Sequence, residues 1–159
     1  MRRILSHTRA AVDDYNMIND GDKIAVGVSG GKDSAALLIA LALMRRFYPK
    51  KYDIVAVNID IGVEGMDFSP LAQLCEDLEV EFVSVKTEIS DIVFEAKHDG
   101  CSLCSRMRRG ALHSEAEKLG CNKVALGHTR DDVAITLIMN LFYAGKLEVF
   151  WPKNIPDER

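Results

Sequence analysis

The chain has 159 residues, of which 48% are hydrophobic and 28% charged, and its net charge is −4 at pH 7. These values are ordinary for one soluble globular domain, and the acidic balance gives no general attraction to nucleic acid. The longest apolar run, at residues 35–44, falls well short of the roughly 20 residues that a membrane span needs. The first residues show no signal-peptide pattern. We therefore expect a cytoplasmic protein that does not contact a membrane.

Strand-like and helix-like patterns alternate along the chain after a leading helix predicted within residues 1–20. The strands are predicted at residues 24–28, 53–59, 81–86 and 123–127, and the helices at residues 33–47, 69–80, 88–98, 103–119 and 130–145. Continuous apolar strands separated by helices predict an α/β fold, a doubly wound parallel sheet with Rossmann-like connections. The main domain is expected over residues 21–150 and a tail over 151–159. Because four strands make a thin sheet, a further C-terminal segment beyond the tail stays an open alternative.

Three unusual segments come directly after predicted strands. They are SGGKDS at residues 29–34, NIDIG at residues 58–62 and GHTRDD at residues 127–132. In a doubly wound fold the ligand binds at the carboxyl ends of the strands, where all three segments fall. Their clustering predicts a ligand site at this edge of the sheet.

The segment at residues 29–34, which we call the glycine loop, has the features of an anion site. Gly30 and Gly31 let backbone N–H groups approach a phosphate, and the helix that follows directs its positive end at the same point. The two serines add hydroxyl donors and Lys32 adds a point charge. Asp33 would repel a bare phosphate, so its presence implies a bridging Mg²⁺. The spacing fits neither a Walker A loop nor a dinucleotide-binding fingerprint.

The glycine loop matches the SGGxDS signature of the PP-loop ATP pyrophosphatases, and the chain resembles that family. Similarity to the tRNA 2-thiocytidine synthetase group of thiolating enzymes lies in three longer stretches: DYNMINDGDKIAVGVSGGKDS, CSLCSRMRRGAL and KVALGHTRDDVAITLIMNLFYAGKL. The resemblance runs from residue 12 to residue 148. It implies an adenine nucleotide alpha hydrolase-like fold in which residues 21–150 form the ATP-binding domain.

The reaction implied by the resemblance is an ATP-dependent thiolation of tRNA, and the enzyme is a sulfurtransferase. ATP is cleaved between its α and β phosphates, AMP is left on a carbonyl oxygen of the base, and sulfur then displaces AMP. In that group the base is cytidine 32 of tRNA, and a [4Fe-4S] cluster on three cysteines delivers the sulfur. The implied partners are tRNA and a sulfur donor such as a cysteine desulfurase, and a homodimer stays an open alternative.

The resemblance also assigns roles to residues of this sequence. The implied ATP contacts are Ser29, Gly30, Gly31, Lys32, Asp33, Ser34, Asn58, Asp60, Gly127 and His128. The implied catalytic residues are Lys32, Asp33 and Asp132, and the implied Mg²⁺ ligands are Asp33, Asp131 and Asp132. The implied cluster ligands are Cys101 and Cys104, with the third ligand expected downstream of this chain. The candidate tRNA phosphate contacts are Arg106, Arg108 and Arg109.

The residues alone leave four interpretations of the pair Cys101 and Cys104. The pair is a redox or persulfide dithiol at a helix N-terminus, a zinc site completed by His98 or His113, part of an iron–sulfur cluster, or two inert thiols. The resemblance favours the cluster. The two remaining cysteines of the chain are predicted to be structural.

Other interpretations and other functions also stay open. A histidine after a strand is often structural, and paired aspartates are ordinary at the start of a helix. Beside a phosphate loop, however, a carboxylate in GHTRDD can hold Mg²⁺. One alternative function is a PP-loop ligase with an amine nucleophile, against which the cysteine pair argues. Another is a non-catalytic nucleotide-binding sensor, against which the acidic residues argue.

Overall fold

The computed structural model describes residues 2–63, 65–95 and 100–153. The chain forms two compact units, a larger one over residues 19–127 and a smaller one made of residues 1–18 and 128–159. The strands are β1 (Asp22–Gly27), β2 (Tyr52–Asp60), β3 (Glu81–Lys86) and β4 (Lys123–Leu126). The helices are α1 (Arg2–Asp14), α2 (Lys32–Met44), α3 (Ser69–Asp77), α4 (Ile89–Glu95), α5 (Gly100–Lys118) and α6 (Arg130–Met139), and a π-helical turn follows at Asn140–Ala144.

The larger unit is built on a four-stranded sheet in the order β3-β2-β1-β4, and all neighbouring strands are parallel. Parallel strands joined by right-handed crossovers place α2 and α3 on one face of this sheet and α4 and α5 on the other. The predicted α/β fold with a parallel sheet is therefore confirmed. The strand order reverses between β1 and β4, and this point is where doubly wound folds bind their ligands.

The apolar runs that predict the strands form the core of the larger unit. On one face, Ala25 and Val57 pack with Leu112 and Ala116 of α5. Because side chains alternate between the two faces of a strand, Val26 lies on the opposite face, and it is buried as well. Burial on both faces explains why these strands are continuously apolar rather than alternating.

A charged cluster joins β1 to β4 at the amino ends of the strands. The Asp22 carboxylate, which is only 4% exposed, accepts hydrogen bonds from the Asn19 backbone N–H at 2.6 Å, from Asn122 Nδ2 at 2.8 Å and from Lys123 Nζ. Burial alone would raise the pKa of Asp22, but the hydrogen bonds from Lys123, Asn19 and Asn122 outweigh it and lower the pKa. The cluster therefore stabilises the strand pairing as long as Asp22 is ionised.

Two helix boundaries near the candidate site residues differ from the predicted ones. The helix predicted to begin at residue 103 begins at Gly100, so the cysteine pair is helical. The helix predicted over residues 130–145 is α-helical only to Met139 and then widens into the π-helical turn, which ends at Gly145 in the left-handed conformation with φ 62°. The end of the helix predicted over residues 88–98 lies outside the described residues. Among the described residues, no helix combines the length and the apolar character that crossing a bilayer requires.

Candidate nucleotide site

The glycine loop connects β1 to α2 at the carboxyl edge of the sheet. Gly30 has a φ of 81°, which favours glycine and makes the tight turn. Gly31 is the N-cap of α2 in extended conformation and, as a glycine, has no side chain with which to cap the helix. The first N–H groups of a helix need acceptors from outside the helix. A phosphate is the acceptor that such a helix end binds best, because the helix dipole also favours negative charge there.

Ser34 holds the shape of the glycine loop from inside. Its hydroxyl is buried, donates to the carbonyl of Gly31 at 2.9 Å and accepts from the Ser29 N–H at 3.2 Å. The Ser29 hydroxyl in turn accepts from the Gly31 N–H at 3.4 Å. The sequence analysis treats both serines as phosphate donors, and that role stays a prediction. In the structure, the Ser34 hydroxyl links the two ends of the loop.

Lys32 and Asp33 lie at the solvent side of the loop. Their side chains are 88% and 48% exposed, and Lys32 Nζ donates to Asp33 Oδ2 at 2.8 Å. Ion pairs this exposed contribute little to stability. The pair can therefore rearrange readily, so that the ammonium group meets a phosphate oxygen and the carboxylate meets a metal ion.

Gly127, at the end of β4, lies directly against the glycine loop. A Cβ added to this residue would be 2.9 Å from the backbone carbon of Asp33 and 2.9 Å from the backbone nitrogen of Ser34. The sequence analysis counts Gly127 among the ATP contacts, and the structure supplies a steric reason for a glycine at this position. Only a residue without a side chain lets β4 approach the start of α2 so closely.

Asn58 and Asp60, the candidates after β2, make hydrogen bonds within the fold. Asn58 is 1% exposed, and its Nδ2 donates to the Val28 carbonyl at 2.8 Å. The Asp60 carboxylate accepts from the Gly62 N–H at 2.9 Å. Their proposed contacts with ATP stay predictions, and the sequence alone did not reveal the contact of Asn58 with Val28.

The candidates His128, Asp131 and Asp132 belong to the smaller unit. The His128 ring packs on Phe150 with the ring centroids 5.0 Å apart. The Asp132 carboxylate accepts from the Thr129 N–H at 2.6 Å and from the Thr129 hydroxyl at 2.8 Å, while Thr129 Oγ1 accepts from the Asp132 N–H. This arrangement is a capping box that begins α6. Asp132 thus has a structural role, and Asp131 beside it is exposed.

Cys101 and Cys104 lie at the start of α5, three residues apart, and therefore face the same side of the helix. Cys101 is exposed, and Cys104 is half-buried against the core. Burial raises the pKa of the Cys75 and Cys121 thiols and so disfavours the reactive thiolate of these two residues. The exposed thiol of Cys101 and the half-buried thiol of Cys104 lie together at the N-terminus of α5.

The described residues do not form a complete metal site. Within residues 2–63, 65–95 and 100–153, no group of three or more His, Cys, Asp or Glu side chains is arranged to hold an ion. The donor set fits an iron–sulfur cluster in its chemistry, since both accessible ligands are thiols, and it needs further ligands. Of the zinc candidates, His98 lies outside the described residues, and His113 is exposed on α5. Arg106 and Arg109 are exposed on the same helix, and Arg108 is half-buried.

A family model described as a PP-loop domain matches residues 4–149. The chain belongs to the PP-loop domain family. The tRNA-cytidine(32) 2-sulfurtransferase of Tolumonas auensis is 44% identical to this PP-loop chain over 160 residues, which are 99% of this chain and 53% of the relative. The enzyme of the same name from Teredinibacter turnerae is 42% identical over 161 residues, with the same two shares. The chain thus spans about half the length of the curated relatives it matches.

Two solved structures resemble this PP-loop chain. The U34-tRNA thiolase NcsA from Methanococcus maripaludis, solved with its [4Fe-4S] cluster, aligns with a TM-score of 0.75 and 26% identity over 91% of this chain and 51% of that one. The NAD+ synthetase from Burkholderia pseudomallei aligns with a TM-score of 0.50 and 15% identity over 96% of this chain and 77% of that one, which shows the fold alone. The resemblance to PP-loop proteins that the glycine loop predicts is therefore confirmed.

Proposed function

We propose that this chain carries the ATP-binding domain of an ATP-dependent tRNA sulfurtransferase that acts on cytidine 32. The observation that carries the proposal is the glycine loop at the N-terminus of α2, where Gly30 has a φ of 81° and Gly31 is the N-cap, in a chain of the PP-loop family. Two accessible thiols at the start of α5, in the same compact unit, support sulfur as the incoming atom. The names of the curated relatives support tRNA and cytidine as the substrate.

The chemistry has two displacement steps. In the first step the carbonyl oxygen of the base attacks the α-phosphorus of ATP, the bond to the β-phosphate breaks, and pyrophosphate leaves. In the second step a sulfur nucleophile attacks the base carbon, and the carbon–oxygen bond breaks as AMP leaves. Glycine-loop N–H groups and Lys32 would stabilise the negative charge on the phosphates. Asp33 would be a ligand of a Mg²⁺ ion that neutralises phosphate charge, and Asp131 and Asp132 are further candidate Mg²⁺ ligands.

The sulfur side of the site uses the start of α5. Cys101 and Cys104 would hold a [4Fe-4S] cluster together with a third ligand from outside this chain, and the cluster would supply a binding place for sulfur. The solved thiolase with its cluster supports this assignment. Arg106, Arg108 and Arg109 follow on the same helix, where their positive charge would contact tRNA phosphates.

The proposed partners are tRNA and a sulfur donor such as a cysteine desulfurase, and the proposed location is the cytoplasm. A homodimer belongs to the proposal as well. Its support is three exposed apolar side chains in the smaller unit, Phe142, Tyr143 and Leu147, which are 77%, 87% and 80% exposed. Large apolar side chains that form an exposed patch mark protein interaction sites.

The test is the product of ATP cleavage. The protein, together with any downstream segment that its gene encodes, is incubated with substrate tRNA, a sulfur source and ATP labelled at its α-phosphate. We expect labelled AMP and unlabelled pyrophosphate, with 2-thiocytidine in the tRNA by nucleoside mass spectrometry. Labelled ADP as the main product would overturn the proposal. AMP formation with an amine, rather than sulfur, added to the base would indicate the ligase instead.

A further inference from the structure

Asn58 is a polar residue buried in the middle of the sheet. It is 1% exposed, and its neighbours along β2, Val57 and Ile59, belong to the apolar core. Burying an amide costs free energy unless its polar atoms are hydrogen-bonded. The partners of Asn58 therefore indicate why an amide is present in this strand.

The amide of Asn58 links two strands. Ser84, its register partner on β3, donates from its hydroxyl to Asn58 Oδ1 at 3.2 Å. Asn58 Nδ2 donates to the carbonyl of Val28 at 2.8 Å. The amide is thus bonded at both ends, and the three residues form a chain of hydrogen bonds from the edge strand to the residue that precedes the glycine loop.

The Val28 carbonyl lies between the end of β1 and the start of the glycine loop. The ladder between β1 and β2 ends at the pair Gly27 and Val57, followed by one bond from the Val28 N–H to the Val57 carbonyl at 2.9 Å. The peptide plane that contains the Val28 carbonyl also contains the Ser29 N–H. That N–H donates to the Ser34 hydroxyl, which closes the loop. Fixing this peptide plane therefore fixes the direction in which the loop leaves the sheet.

We infer that Asn58 and Ser84 are positioning residues for ATP, which orient the glycine loop through the Val28 carbonyl. The inference rests on the proposed function, because it assigns the loop to ATP. It departs from the sequence-based role of Asn58 as a nucleotide contact, since this side chain is buried and both ends of its amide are bonded inside the fold. A serine on the outer strand thus acts on the nucleotide without touching it.

The test compares Asn58→Leu, Ser84→Ala and Ser84→Thr with wild type by titration calorimetry of Mg·ATP, below the unfolding temperature of each protein. Asn58→Leu removes both hydrogen bonds at similar volume, and we expect its dissociation constant to rise about tenfold. Ser84→Ala removes only the hydrogen bond between Ser84 and Asn58, so we expect the dissociation constant to rise about threefold. Ser84→Thr keeps the hydroxyl and should bind Mg·ATP as the wild type does. Ser114→Ala, at an exposed position of α5, is the matched control and should bind as wild type.

The outcomes separate this inference from the proposed function. A merely structural role would lower the unfolding temperature of the variants and leave the dissociation constant of the folded protein unchanged. Tight Mg·ATP binding by the wild type, with equal binding by Asn58→Leu and Ser84→Ala, would overturn this inference alone. Wild-type protein that binds no Mg·ATP would overturn the proposed function and this inference together. Because Ser84 lies at the surface, its two variants keep the test valid even where Asn58→Leu fails to fold.

Discussion

Gly127 and Ser34 approach each other so closely that a Cβ on Gly127 would lie 2.9 Å from the backbone nitrogen of Ser34. The atoms it would meet are backbone atoms at the start of α2, which cannot move aside as a flexible side chain can. Overpacking of this kind costs about 1 to 3 kcal/mol, so Gly127→Ala should displace the glycine loop and weaken Mg·ATP binding by about tenfold. Titration calorimetry measures the effect directly.

Gly110→Ala is the matched control for that substitution. A Cβ at Gly110 meets nothing within 4 Å, and the residue lies inside α5, where alanine is the better helix former. We expect Gly110→Ala to bind Mg·ATP as the wild type does, with equal or higher thermal stability. Wild-type binding by Gly127→Ala would show that the contact between β4 and the loop yields without consequence.

Substitutions of Lys32 and Asp33 test the catalytic role of these residues, because we expect them to lower turnover without lowering stability. Their ion pair is exposed, so Lys32→Ala and Asp33→Ala should leave the unfolding temperature nearly unchanged. Each should lower ATP-dependent turnover by more than about tenfold, or about 1.4 kcal/mol of transition-state stabilisation. Lys118→Ala removes the ion pair between the exposed Lys118 and the largely buried Glu115 on α5, away from the glycine loop, and serves as the control. Full turnover in the two loop variants would refute their catalytic assignment.

Asp132 has two candidate roles, helix cap and Mg²⁺ ligand, which one substitution separates. Asp132→Glu keeps a capping-box acid at the third helical position, so stability should change by less than about 0.5 kcal/mol. The longer side chain moves the carboxylate, and we expect Mg²⁺-dependent turnover to fall about tenfold. Thr129→Ala removes the cap itself and should lower stability by about 1 kcal/mol. Unchanged turnover in Asp132→Glu would restrict this residue to capping α6.

Thiol reactivity should follow the exposure of the cysteines. With iodoacetamide at pH 8 on metal-free protein, we expect Cys101 to be alkylated first and Cys104 more slowly, because Cys104 is half-buried. Cys75 is fully buried and should react only after unfolding. Peptide mass spectrometry over time gives the order. Early labelling of Cys75 would contradict the packing of α3 described above.

Asp22 should make stability depend on pH in the acidic range. Its pKa is lower in the folded protein than in the unfolded chain, so its contribution is complete above about pH 4 and is lost as the pH falls through the folded-state pKa. At pH 7 we expect Asp22→Asn to lower the free energy of unfolding by about 2 kcal/mol. Urea unfolding between pH 7 and pH 3 should show this difference shrinking. Asp53→Asn, at an exposed position of the neighbouring strand, is the control and should change the free energy of unfolding at pH 7 by less than about 0.5 kcal/mol.

The sequence predicts the strands well because burial on both faces leaves an unbroken apolar run, as in residues 54–57. It places Asn58 near the carboxyl end of the second strand, but periodicity does not tell which way the side-chain amide points or which groups it hydrogen-bonds. It also misses the start of α5, because an exposed first helical turn needs no apolar residues, and the segment DGCSLCS therefore resembles a loop. The steric role of Gly127 depends on two segments about 90 residues apart in sequence, a relationship that no local pattern contains.

The helix end at Gly31, whose N-cap residue has no side chain, bears on how the protein changes when it binds its ligand. A phosphate bound there would accept hydrogen bonds from the first N–H groups of α2, so the protons of these groups should exchange more slowly with solvent in the bound protein. Such binding also orders the first turn of α2, and part of the binding enthalpy is offset by the entropy lost in that ordering. Nucleotide binding is therefore expected to appear as slowed amide exchange confined to the start of α2.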